Sequence, residues 1–97
     1  MWYGLQMTSG RVQISPLVRS VSTDEGAVLL QLDRGMYRSL NAVGRSIWSA
    51  IGDGASVDDI VSHLCARYSS VPRDQIAADV ETFISNLQAR GLVVVEP

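Results

Sequence analysis

Residues 32–41 read LDRGMYRSLN, and how this stretch is parsed decides the fold. Asp33-Arg34-Gly35 has turn chemistry, because glycine takes positive φ without steric cost. The turn divides an apolar run from a second short segment, Met36, Tyr37, Arg38, Ser39 and Leu40, and the pair reads as a β-hairpin. Asn41 follows with a side-chain oxygen suited to opening a helix. The stretch therefore places a strand end, a turn, a second strand and a helix cap in direct succession. The second strand mixes Met36, Tyr37 and Leu40 with Arg38 and Ser39, so neither of its faces is cleanly apolar.

Towards the N-terminus, residues 27–32 carry the strongest strand pattern. Val28, Leu30 and Leu32 fall on one face, and Ala27, Leu29 and Gln31 on the other. Ser22-Thr23-Asp24-Glu25-Gly26 is a turn signal. Before it, residues 11–21 alternate in strand fashion, with Pro16 marking an edge or a bulge. The front third is expected to be a three-stranded antiparallel meander that needs a cover on one face.

Towards the C-terminus the period changes to that of helices. Asn41 caps a helix with Val43, Ile47 and Ile51 on one face and Trp48 beside them, ended by Gly52-Asp53-Gly54. Ser56 caps a second helix, with Asp59 where a carboxylate suits a helix start. Its stripe is Val57, Ile60, Val61, Leu64, Cys65 and Tyr68. A third helix begins near Pro72, buries Ile76, Val80, Phe83, Ile84 and Leu87, and stops at Gly91 in a Schellman ending. Val93-Val94-Val95 closes the chain as a short extra strand. The predicted fold class is α+β, a winged helix-turn-helix-like arrangement of a three-stranded meander followed by three α-helices.

The 97 residues, 46% hydrophobic, fit one domain at 11–97 behind an N-terminal tail at 1–10. No apolar run reaches the roughly 18–20 residues that span a bilayer, so no membrane association is expected. MWYGLQMTSG has neither the basic start nor the apolar length of a secretory signal, and a cytoplasmic location is expected. Cys65 and His63 are each the sole residue of their kind. No disulfide, metal site or cofactor is expected.

Catalytic readings are weak. His63 and Cys65 stand two apart on a helix and point in different directions. Asp24-Glu25 belongs to a turn, and Asp58-Asp59 to a helix N-terminus. The chain is expected not to be an enzyme. A DNA-binding reading fits the architecture, with helices two and three as the helix-turn-helix. The charges oppose it: Asp74, Asp79 and Glu81 stand on the would-be recognition helix, and the net charge is −2.

The strand at residues 36–40 remains. It has one arginine and no proline or lysine to blunt its edge. A strand edge beside an apolar helix face suits capture of an extended peptide by β-augmentation. The alternative is that this edge pairs with residues 93–95 or with a second copy of the chain.

Three segments together resemble the PqqD-like family: GAVLLQLDRGMYRSLNAVGRSIWSAI (26–51), SVDDIVSHLCARY (56–68) and IAADVETFISNLQARGLV (76–93). The hairpin ends in a Tyr-x-x-Leu-Asn step and leads into a helix with Gly and an Ile-Trp pair, here Tyr37, Leu40, Asn41, Gly44, Ile47 and Trp48. The resemblance spans residues 11–95. It implies a RiPP recognition element, which binds the leader segment of a ribosomal precursor peptide. In this family the leader adds as a strand antiparallel to the third strand, beside the third helix. Carried onto this chain, that places binding on Met36, Tyr37, Arg38, Ser39 and Leu40, with Ile76, Val80 and Phe83 in the groove wall and Asp79 or Arg38 as polar contacts at the rim. The resemblance further implies lasso-peptide biosynthesis, with a leader peptidase and an ATP-dependent macrocyclase as partners. Pyrroloquinoline quinone biosynthesis is the alternative. A proline at Arg38 is expected to block the guest strand without unfolding the domain.

Overall fold

The computed structural model describes residues 11–96. The expected tail at 1–10 lies outside them. In chain order the elements are β1 (Arg11–Ile14), β2 (Val18–Ser22), β3 (Gly26–Gln31), β4 (Met36–Asn41), α1 (Ala42–Gly52), α2 (Val57–Arg67), α3 (Arg73–Ala89) and β5 (Val93–Glu96).

The antiparallel meander is β2-β3-β4, with Leu29 opposite Ser20 on one side and Arg38 on the other. Its first strand begins only at Val18. Residues 11–14, read from the sequence as the start of the same strand, pair instead with β5, Val12 lying opposite Val95. Pro16 lacks an N–H and lies in the bend that redirects the chain. Ser15 donates its N–H to the Leu92 carbonyl at 3.0 Å, and the Ser15 hydroxyl accepts from the N–H of Leu17 at 3.2 Å. Residues 93–95 therefore leave the β4 edge alone.

The helices cover the face of β3 that carries Ala27, Leu29 and Gln31, all buried. The leucine-richer face points away from them, with Leu30 39% and Leu32 47% exposed. Beneath the covered face lie Ile47, Trp48 and Ile51 of α1, Val57, Ile60, Val61 and Leu64 of α2, and Ile76, Val80, Ile84 and Leu87 of α3. Val43, expected on the core face of α1, is exposed. Cys65, expected inside the core, packs against it half-buried.

Local signals account for the helix boundaries. The Asn41 side chain accepts from the Gly44 N–H at 2.8 Å. Ser56 and Asp59 form a reciprocal capping box. At the end of α3, Gly91 has φ +75°. Its N–H donates to Gln88 and that of Leu92 to Leu87, which is the Schellman pattern. None of the helices is long and apolar enough to cross a membrane, among the described residues.

Candidate functional site

Hydrogen-bond parity along the meander identifies which groups of β4 are unspent. Thr23 and Gly26 exchange both backbone bonds, and the Leu32 N–H donates to Leu17 at 2.8 Å. Gly26, Val28 and Leu30 therefore turn their backbone groups towards β2, and by alternation Ala27, Leu29 and Gln31 turn theirs towards β4. Their partners there are Leu40, Arg38 and Met36. The N–H and C=O groups of Tyr37 and Ser39 consequently face the outer edge, which no strand covers among the described residues. This corrects the expectation for Arg38. Its backbone belongs to the β3 ladder, so a proline there breaks the sheet instead of blocking the edge.

Side chains alternate as well. Met36, Arg38 and Leu40 share the helix-facing side with Leu29 and Gln31, whereas Tyr37 and Ser39 share the outer side with Leu30 and Val28. Tyr37 is 77% exposed accordingly.

Beside the C-terminal half of β4 lies an apolar cavity of about 460 Å³, within the range of small-ligand sites. Ser39, Leu40 and Asn41 form its strand wall, and Gln75, Ile76, Asp79, Val80 and Phe83 its α3 wall. Val43, Gly44 and Ile47 of α1 supply the floor, and Leu64, Tyr68 and Val71 close the far end. The expected residues Ser39, Leu40, Ile76, Asp79, Val80 and Phe83 thus meet around one space. Val80 and Ile76 are nearly fully buried and belong to core and wall at once. Phe83 is half-buried, and Asp79 is exposed at the rim.

The other three expected residues, Met36, Tyr37 and Arg38, border a separate, smaller hollow at the N-terminal end of β4. One strand edge therefore links two cavities.

Sequence reasoning missed Val43, Gly44, Tyr68, Val71 and Gln75. Val43 and Tyr68 had been placed on core stripes, and only the 37% exposure of Val43 separates a groove position from a core one. Gly44 does carry a readable signal, as a glycine inside a helix. A Cβ there would meet Leu40 at 3.3 Å and the Phe83 ring at 3.4 Å, so its absence keeps the cavity floor open. Ala77 packs on the core and Ala78 is exposed, and neither lines the cavity.

An edge with unspent backbone donors and acceptors beside an apolar, partly polar-rimmed groove is the geometry that accepts an extended peptide as an added strand. Comparison with solved structures agrees in kind. The chain is similar to TbiB1 in complex with the TbiA(beta) leader peptide, at 38% identity and TM-score 0.79, over 84% of this chain and 93% of that one. It is also similar to a lasso peptide synthetase B1 complexed with the leader peptide, at 27% identity and TM-score 0.80, over 87% and 98%. No curated protein sequence matches the chain. The model of the PqqD family, coenzyme PQQ synthesis protein D, matches residues 26–93, and the chain belongs to that family.

Proposed function

We propose that this protein is a non-catalytic leader-peptide-binding module of lasso-peptide biosynthesis. The leader of a ribosomal precursor adds as an antiparallel strand to the outer edge of β4, using the N–H and C=O groups of Tyr37 and Ser39. Its inward side chains enter the cavity walled by Leu40, Ile76, Val80 and Phe83, with Asp79 at the rim. The observation that carries this reading is the uncovered β4 edge running along an apolar cavity. It is supported by the leader-peptide complexes of two relatives of the same fold.

Backbone pairing supplies affinity with little sequence information, and the cavity supplies selectivity. Holding the leader leaves the rest of the precursor accessible, so the module delivers its cargo to a leader peptidase and an ATP-dependent macrocyclase. No cofactor takes part, and the cytoplasm is the proposed site of action. The family description supports a second reading, a peptide chaperone in pyrroloquinoline quinone biosynthesis acting through the same edge.

Fluorescence anisotropy with a labelled leader peptide of a lasso precursor tests the proposal. Saturable binding is expected, together with faster leader removal and cyclisation when the peptidase and cyclase are added. A leader that fails to bind the folded chain would falsify the reading.

A further inference from the structure

The hollow at the N-terminal end of β4 differs in character from the apolar cavity. It measures about 130 Å³ and sits where β3, β4 and the end of α3 converge. Leu29, Met36 and Leu92 give it an apolar lining, and three arginines, Arg34, Arg38 and Arg90, complete its wall. In a chain of net charge −2 with eight basic residues, this places three of the eight at one spot. The described residues contain one ion pair, Arg73–Asp58 at 3.5 Å, so none of the three has a carboxylate partner among them.

The hollow is also built around fixed groups. The buried Gln31 side chain donates to the Arg90 carbonyl at 2.9 Å, which pins the end of α3 against the sheet. Gly91 turns the chain there, and a Cβ on it would lie 3.4 Å from the Gln31 amide nitrogen and 3.9 Å from the Arg34 guanidinium. Arg38 is half-buried on the helix-facing side of β4.

We propose that this hollow is a charge-selective subsite that grips an acidic side chain of the guest peptide. The inference rests on edge pairing at β4 and deepens it. A guest antiparallel to β4 runs from the Asn41 end towards the Met36 end. Its inward side chains recur at every second residue. The side chain two or four positions C-terminal to the one that fills the apolar cavity therefore lies over Arg38 and its neighbours. Arginine suits the task, because its planar fork binds a carboxylate through two parallel hydrogen bonds. The subsite would also resolve a register problem. Backbone pairing repeats every two residues and leaves slippage weakly opposed. A carboxylate over the arginines, with Asp79 repelling acidic groups at the other cavity, selects one register and one direction.

Selection of a random linear dodecapeptide library on the immobilised full chain tests this. Enriched sequences should carry Asp or Glu two or four positions C-terminal to a large apolar residue. An enriched peptide should bind the Arg38→Glu/Arg90→Glu variant about tenfold more weakly. Changing its acidic residue to arginine should recover part of that loss. Thermal unfolding of the variant serves as the folding control. On the unmodified chain, raising the salt concentration should weaken the acidic peptide more than its amide analogue, a readout that needs no variant. Enriched peptides with no acidic preference at that spacing, or equal salt sensitivity of the acid and the amide, overturn the subsite while leaving edge pairing intact. Absence of any enriched peptide overturns edge pairing, and the subsite with it.

Discussion

The Gln31 side-chain amide donates to the Arg90 carbonyl at 2.9 Å, tying the second meander strand to the last turn of α3 across 59 residues of sequence. Gln31 is the buried polar side chain among the described residues, and the bond satisfies a carbonyl that the helix end leaves without a partner. Both residues line the arginine-rimmed hollow, so the bond ties two of its walls together.

Replacing Gln31 by alanine removes the donor and leaves a void against Arg90. A loss of about 1–3 kcal/mol of stability is expected, read from urea unfolding. Because the hollow loses its tie, leader affinity should also fall under conditions where the variant remains folded. Unchanged stability would mean that the bond exchanges freely with water and orders nothing.

Proline scanning of β4 separates ladder from edge. Ser39→Pro removes an N–H that faces the uncovered edge, a place where strands tolerate proline. The domain should stay folded, with leader binding sharply weakened. Arg38→Pro removes an N–H that parity assigns to Leu29. It should cost about 1–3 kcal/mol of stability through the orphaned acceptor. Circular dichroism beside anisotropy measures both, and equal behaviour of the two variants would contradict the hydrogen-bond assignment.

Gly26 stands where a Cβ would overlap the Leu40 carbonyl, at the junction of β3, β4 and the start of α1. Gly26→Ala must therefore push the two strands apart, and overpacking of this kind costs typically about 1–3 kcal/mol. Gly35→Ala is a useful contrast. Gly35 has φ +62° with no atom near its missing Cβ, so its penalty is conformational alone. Denaturant midpoints should place Gly26→Ala below Gly35→Ala.

Phe83 and Ile84 are neighbours with opposite roles. Ile84 is fully buried, and Ile84→Ala should cost about 2–5 kcal/mol. Phe83 is half-buried and walls the apolar cavity, so Phe83→Ala should weaken leader binding with a smaller loss of stability. Isothermal titration next to thermal melts distinguishes them. A Phe83→Ala chain that binds normally would remove this residue from the groove.

The extent to which these features were legible in the sequence follows from their physics. Helix boundaries were readable because Asn41, Ser56 with Asp59, and Gly91 cap through bonds to neighbours in the chain. The departure of β1 from the meander was not, since pairing of Val12 with Val95 is a contact between opposite ends of the chain. In β3 both faces are rich in apolar residues, and the buried one carries Gln31 because that amide has a partner 59 residues away. Within the groove, the stripes of α1 and α2 mark apolar positions alike whether they face the core or line a cavity, which hid Val43 and Tyr68.

The winged-helix architecture makes its own prediction for duplex DNA. α3 occupies the place of a recognition helix, and it exposes Asp74 and Asp79. Its one arginine, Arg73, is engaged by Asp58 at 3.5 Å. Carboxylates on that face would meet phosphates, and few side chains remain to read base edges. The basic cluster at Arg34, Arg38 and Arg90 lies at the far end of the helix beside a sheet edge and is too small to track a duplex backbone. Titration of labelled random-sequence and promoter-derived duplexes should therefore show no specific binding. Tight association with a slope of several units in log affinity against log salt would mark phosphate contacts. That outcome would count against the leader-binding assignment, because the guest strand and a duplex would compete for the same surface of α3.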